Sequence, residues 1–246
     1  MSFDNKNFFQ IYLSDQQLQL PQKLRQHQRD FKDYFSSFRY ELFNHQTLRD
    51  FVQKFYGGEV LWAYDCLKPY AFKADLGRYC LLYALGGWYA DITLKPMMSV
   101  AVDQDTRLVY FYDHGQGWHQ AVHGCQNGLI YASKQLELMG KAIETVVRHC
   151  KEKYYGPNPL SATGPNMFGQ LIAGYAPALG YHNGYFMQLT PLHDNKNRAY
   201  IGPGGEIIAF HKTAWCREAT EASLSQFGAK GVNNYAKMWM HREVYK

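Results

Sequence analysis

Asp75, Arg78, Tyr89 and Asp91 are the residues whose types and spacing point most directly to chemistry. Two carboxylates, a guanidinium and an aromatic ring can accept from, donate to and pack against one polar ligand. They must first be brought into the same pocket, and the residues around them say how. All four lie in the stretch Ala71 to Pro96, AFKADLGRYCLLYALGGWYADITLKP. Asp75 and Arg78 are three apart and share a helix face. Leu76, Tyr79 and Tyr83 repeat at helical spacing and form a neighbouring apolar face. Gly86 and Gly87 suit the left-handed turn that ends a helix. From Trp88 to Asp91 the residues alternate as a strand, which puts Tyr89 and Asp91 on one side. A carboxylate at the carboxyl end of such a strand lies where open α/β sheets bind ligands.

This order resembles the sugar-binding region of glycosyltransferase family 32, whose signature runs Asp-x-x-Arg, a helix, Gly-Gly-x-Tyr, then Asp-x-Asp. The matching residues are Asp75, Arg78, Gly86, Gly87, Tyr89 and Asp91. The last acid of the signature is missing, because Thr93 takes its place. Taken singly, an Asp-Arg pair is ordinarily a surface ion pair and Gly-Gly a cap; the ordered combination is what carries the likeness. The resemblance implies that Asp75, Arg78 and Asp91 act at the reacting centre. Asp75 and Arg78 would hold sugar hydroxyls, Tyr89 would pack beside the nucleotide or sugar, and Asp91 would face the ribose and a metal.

Looser matches extend the resemblance from Tyr12 to Trp215. Tyr12, at the end of the first strand, takes the place of an aromatic residue that stacks on the base. Thr163-Gly164-Pro165-Asn166 is similar to the family's Thr-Gly-Pro loop, where Gly164 permits close backbone approach. Asn127 would border the sugar. His211-Lys212-Thr213-Ala214-Trp215 looks like the C-terminal segment that completes the diphosphate site, with Trp215 over the phosphates. The implied cofactor is Mn2+ or Mg2+, held by Asp91, Thr93, His211 and Thr213. Thr93 is a poor replacement for an anion toward a hard cation. Three outcomes stand open: Asp91 holds the ion with the diphosphate and a distant ligand, binding is nearly metal-independent, or only sugar-nucleotide binding survives. The first is the working expectation.

Composition sets the outer limits. The chain has 246 residues, 46% of them hydrophobic and 16% aromatic, enough for one well-cored domain over residues 1–246. Twenty-six Lys and Arg against 21 Asp and Glu give a formal charge of +5. That excess favours anionic company, whether nucleotide phosphates, an acidic glycan or a membrane surface. Five scattered cysteines without a C-x-x-C pair point to reduced thiols in a cytosolic setting. No apolar run reaches membrane-spanning length, and the first residues do not read as a secretory signal. The serine-hydrolase elbow, the phosphate-binding loop and the H-E-x-x-H zinc motif are all absent, and basic residues form no dense stripe for nucleic acid. His119 and His123 sit at i, i+4, but Gly115, Gly117 and Gly124 interrupt any helix there, which argues against zinc together with His114.

Strands alternating with helices predict an α/β fold with a mostly parallel sheet, which the resemblance narrows to a GT-A-type nucleotide-sugar transferase: one mixed sheet flanked by helices. The implied activity is transfer of a hexose from a UDP- or GDP-sugar to a glycan or lipid-linked glycan acceptor, with retained configuration, in surface polysaccharide synthesis. The setting would be cytoplasmic, peripheral at the inner face of a membrane. The competing class is a non-catalytic nucleotide-sugar or glycan-binding protein that keeps the fold.

Overall fold

The computed structural model describes residues 6–16, 19–113, 124–175, 179–189, 197–216 and 223–246. His114, His119 and His123 lie outside the described residues, as does the polar loop expected at His193-Asp194-Asn195.

The strands are β1 (Asn7–Ile11), β2 (Arg39–Phe43), β3 (Gly87–Ala90), β4 (Lys95–Pro96), β5 (Leu108–Asp113), β6 (Cys125–Ala132), β7 (Tyr181–Gln188), β8 (Arg198–Ile201) and β9 (Ile207–Phe210). The helices are α1 (Gln22–Tyr34), α2 (His45–Phe55), α3 (Gly58–Cys66), α4 (Tyr70–Leu85), α5 (Glu137–Lys151), α6 (Pro165–Tyr175), α7 (Lys212–Trp215) and α8 (Tyr235–Met240). One sheet runs in the order β2-β1-β3-β6-β5-β7-β8-β9-β4.

The fold is α/β, as expected, but the sheet is more mixed than "mostly parallel". β1 pairs in parallel with β2 and β3, and β5 with β7. The β3–β6, β5–β6, β7–β8, β8–β9 and β4–β9 pairings are antiparallel. Helices α5 and α6 lie between β6 and β7, as suits the parallel β5–β7 pair, whereas β5–β6, β7–β8 and β8–β9 are consecutive strands that pair antiparallel. The strands β4 and β8 are two and four residues long.

Both faces of the central strands are covered, so β1 and β3 read as apolar runs. Alternation splits them cleanly: Phe9, Ile11 and Tyr89 enter a core with α2–α6, whereas Phe8 and Trp88 enter another with Phe31 and Phe35 at the end of α1. The helix α2 starts on a capping box, with Asn44 and Thr47 exchanging hydrogen bonds. Helix α4 is buried almost all round and contacts β1, β3 and β6 as well as α2, α3, α5 and α8. That is why Asp75 and Arg78, polar residues on a helix, end up inside the protein. The turn from α4 to β3 needs glycine: Gly87 has φ 114°, and a Cβ there would sit 2.2 Å from the Asn7 carbonyl oxygen.

Candidate functional site

A cavity of about 210 Å³ opens beyond the carboxyl end of β3. Asp75 and Arg78 reach it from α4, Tyr89 and Asp91 from β3 and its end, and Gln126 and Asn127 from the start of β6. Gly164 and Pro165 border it at the start of α6. Phe186, Arg198, His211 and Lys212 also line it.

Arg78 organises the near side. Its Nη2 lies 3.0 Å from Asp75 Oδ1 and its Nη1 3.1 Å from Asp91 Oδ1. Nη1 also donates to the Asn127 carbonyl at 2.5 Å, and Nε to the Ala74 carbonyl at 3.3 Å. The guanidinium stacks over the Tyr89 ring at 4.4 Å. Burial works against the charge, but Asp91, Tyr89 and Asp75 together outweigh it and hold the guanidinium protonated. A guanidinium has five N–H donors, and these contacts use most of them. Arg78 therefore acts mainly as the brace that fixes two acids, with little left to offer a ligand.

Asp75 is fixed on all sides. Asn127 Nδ2 donates to its Oδ1 at 2.9 Å and Thr163 Oγ1 to its Oδ2 at 2.7 Å. Tyr79, behind it, donates to the Thr163 carbonyl and accepts from Asn127. Burial raises the Asp75 pKa, and Arg78, Thr163 and Asn127 pull against that rise. Asp91 is the open acid, its side chain 38% exposed against 10% for Asp75. Tyr89 donates to Asp91 Oδ1 at 2.8 Å, so both do face the same way from the strand. Gly128 makes room for this carboxylate: a Cβ there would fall 2.8 Å from Asp91 Oδ2 and from the Tyr200 hydroxyl.

Two further basic residues line the cavity, from β8 and α7. Arg198, 4% exposed, lies 5.7 Å over the Phe186 ring, and Lys212 is 8% exposed. His211 packs edge-on to Phe186 at 5.4 Å, and its backbone N–H donates to the Arg198 carbonyl at 2.9 Å. Burial drives its pKa well below the usual value, and Lys212 and Arg198 push it further, so the ring is neutral.

Residues 14–109 match the family model described as glycosyltransferase sugar-binding region containing DXD motif. Over that span the chain is similar to a glycosyltransferase sugar-binding region. The matched span holds Asp75, Arg78, Tyr89 and Asp91. An uncharacterized glycosyltransferase of Acanthamoeba polyphaga mimivirus is 32% identical over 75 residues, which is 30% of this chain and 30% of that protein. Among solved structures, the PaToxG glycosyltransferase superposes with a TM-score of 0.52 at 15% identity, over 70% of each chain. Mouse xyloside xylosyltransferase 1 is matched at 10% identity over 72% of this chain and 84% of its own, with a TM-score of 0.38. The α/β architecture with one large mixed sheet between helices is the GT-A type.

The fold brings Asp75, Arg78, Tyr89, Asp91 and Thr93 of the matched span, with Asn127, Gly164 and His211 from beyond it, to one cavity. Three expected residues are not among the described residues that line it. Tyr12 is 3% exposed and packs with Leu20, Leu24, Ile92, Phe227 and Ala229. Its neighbours Ile11 and Leu13 line the cavity instead, because adjacent extended residues point to opposite sides. Trp215 lies edge-on to His27 at 4.2 Å and packs on Phe227 at 5.1 Å. Its indole N–H donates to the Thr93 carbonyl at 3.1 Å, so it anchors the segment after Asp91 from behind. Thr213 is turned toward His211, its Oγ1 2.9 Å from Nδ1. Thr163, Gly128, Tyr79, Tyr200, Arg198 and Lys212 were not singled out by sequence. Thr163 and Lys212 belonged to quoted segments and Tyr79 to the apolar helix face, but Gly128, Arg198 and Tyr200 carry no local signal.

The expected metal set does not fit a resident divalent cation. Such an ion wants several anionic oxygens, and Asp91, Thr93, His211 and Thr213 supply one carboxylate. Its Oδ1 already accepts from Arg78 and Tyr89. His211 Nδ1 is already engaged by Thr213, 2.9 Å from its Oγ1 and 3.4 Å from its backbone N. Among the described residues no three His, Cys, Asp or Glu gather around one point.

Proposed function

We propose that this protein is a hexosyltransferase that takes a UDP- or GDP-sugar as donor and a glycan or lipid-linked glycan as acceptor. The observation that carries this reading is the Asp75–Arg78–Asp91 brace at the wall of the cavity. A hexose needs fixed acceptors for its hydroxyls, and Asp75, held by Arg78, Asn127 and Thr163, is such a group. Asp91, the more open acid, faces the ribose. Tyr70 and Tyr235, which also line the cavity, take the base-packing role expected of Tyr12.

In the transfer, the bond from the anomeric carbon to the diphosphate oxygen breaks and its electron pair goes to that oxygen. An acceptor hydroxyl oxygen bonds to the same carbon, and its proton passes to the departing phosphate. The chain's own part is to orient the sugar, exclude water and stabilise the charge that grows on the phosphate. Retention of configuration rests on the family resemblance. The role in surface polysaccharide synthesis, as one unit over residues 1–246, rests on the same ground. All five cysteines are free thiols, in keeping with a cytoplasmic setting. Among the described residues no helix is long and apolar enough to cross a membrane; the basic excess would favour peripheral contact with an anionic leaflet.

Thr93 in place of the second acid favours one other reading, a binding protein that has kept the site without turnover. Donor hydrolysis and transfer across a panel of UDP- and GDP-sugars separates the two. The transferase reading expects turnover that falls at least about a hundredfold in Asp91→Ala. Donor binding without turnover, for every donor and acceptor tried, would establish the binding protein.

A further inference from the structure

The hydrogen bonds that hold Asp75 close into a ring. Asn127 Nδ2 donates to Asp75 Oδ1 and to the Tyr79 hydroxyl, each at 2.9 Å. That hydroxyl donates to the Thr163 carbonyl at 2.9 Å, and Thr163 Oγ1 returns to Asp75 Oδ2 at 2.7 Å. We propose that Tyr79 is a positioning residue for the donor's sugar: its hydroxyl sets Asn127 and Thr163, and these fix both oxygens of the carboxylate that meets the sugar. This deepens the donor reading above and rests on it.

Chemistry fixes the direction of every bond in the ring. A carboxylate only accepts, so Asn127 must turn its NH2 and Thr163 its O–H toward Asp75. Both hydrogens of the Asn127 amide are then used, one on Asp75 and one on the Tyr79 oxygen. The Tyr79 proton goes to the Thr163 carbonyl, which can only accept. A phenol kept for packing would need one partner; this one has two, and both lead to the same carboxylate. Tyr79 stands one turn beyond Asp75 on α4, Asn127 lies in β6 and Thr163 just before α6. One oxygen thus joins pieces of chain that are 48 and 84 residues away from it. Asp75 and Asn127 line the cavity, whereas Tyr79 and Thr163 are not among the described residues that do. Tyr79 and Thr163 are fully buried and Asp75 and Asn127 nearly so, which leaves a lost partner without water to replace it. A hexose hydroxyl needs its acceptor at a fixed place, and small displacements of such a group are expensive. The Tyr79 ring is held separately, stacked on Phe168 at 5.6 Å, so the hydroxyl is removable with the ring left in place.

The test is calorimetric binding of UDP-glucose, UDP-galactose and GDP-mannose to the full chain, each beside UDP or GDP alone, with Mn2+ present. Tyr79→Phe should weaken the nucleotide sugar that the parent binds at least about fivefold, with UDP or GDP within about twofold of the parent. That loss should vanish in an Asp75→Asn background, because Tyr79 acts through this carboxylate. A loss that persists there in full is that of a packing residue and overturns the proposal. A Tyr79→Phe protein that binds the nucleotide sugar as tightly as the parent, or loses the nucleoside diphosphate equally, also overturns it and leaves the donor reading standing. Should either variant fail to fold by circular dichroism, position 163 decides. Thr163→Ser keeps the hydroxyl and should keep most of the affinity that Thr163→Val loses, and equal affinity in the two overturns the proposal. A parent protein that binds none of the nucleotide sugars overturns the donor reading itself, and this proposal with it.

Discussion

Arg78 Nη1 lies 3.1 Å from Asp91 Oδ1, and this pair ties the middle of α4 to the end of β3. The same guanidinium holds Asp75 through Nη2 at 3.0 Å. One buried cation thus sets the spacing of two acids that line one cavity. An Arg-carboxylate contact through separate nitrogens depends on the planar fork, which lysine lacks.

Removing this brace should therefore cost both stability and binding. Arg78→Gln leaves two buried or half-buried carboxylates facing each other, a loss of about 3–5 kcal/mol. Arg78→Lys should restore part of the stability but not donor binding, because one ammonium cannot keep both acids in place. Urea unfolding midpoints together with donor affinity would check this; a fully active Arg78→Lys protein would show that the fork geometry is dispensable.

Gly128→Ala is expected to act on the site without unfolding the chain. The added methyl meets Asp91 Oδ2 and the Tyr200 hydroxyl at 2.8 Å, so the carboxylate must shift. Donor turnover should fall at least about tenfold, since small misplacements of positioned groups are expensive. The comparison is donor turnover against thermal unfolding of the same preparation.

Trp215→Phe keeps the ring packing on His27 and Phe227 but removes the N–H that holds the Thr93 carbonyl. The expected loss is about 1 kcal/mol of stability, with weaker donor binding because the segment after Asp91 is loosened. Equal donor affinity in the variant would confine Trp215 to a packing role.

Lys73 gives a pH signature unconnected with the site. It donates to the Tyr64 carbonyl and lies over the Tyr64 ring at 4.4 Å, and burial pushes its pKa down from 10.5 to about 8. Between those values the unfolded chain keeps the proton and the native chain has lost it. Unfolded chains then bind more protons, so this residue's contribution makes stability rise with pH through that window and stay flat below it. Urea midpoints near pH 7.5 and 9.5 should differ in the parent protein, and Lys73→Met should remove that part of the difference.

The sequence by itself determined the elements that carry the signature. Pro69 and the Gly86-Gly87 pair bound α4, Asn44 and Thr47 start α2, and the alternation after Gly87 puts Tyr89 and Asp91 on one side; each is decided by neighbours in the chain, and each is present in the structure. The family likeness was legible for the same reason, being a short ordered pattern. Tertiary structure alone decided what closes the site. Asn127 and Thr163 reach Asp75 from 52 and 88 residues away. Arg198 comes from a four-residue strand that local pattern did not mark, and the place of Lys212 beside it at the cavity was set by the fold. Tyr12 was misplaced because a strand's period fixes which residues share a side, but not which side becomes the cavity; only the packing of α1 and α4 on opposite faces of the sheet settles that.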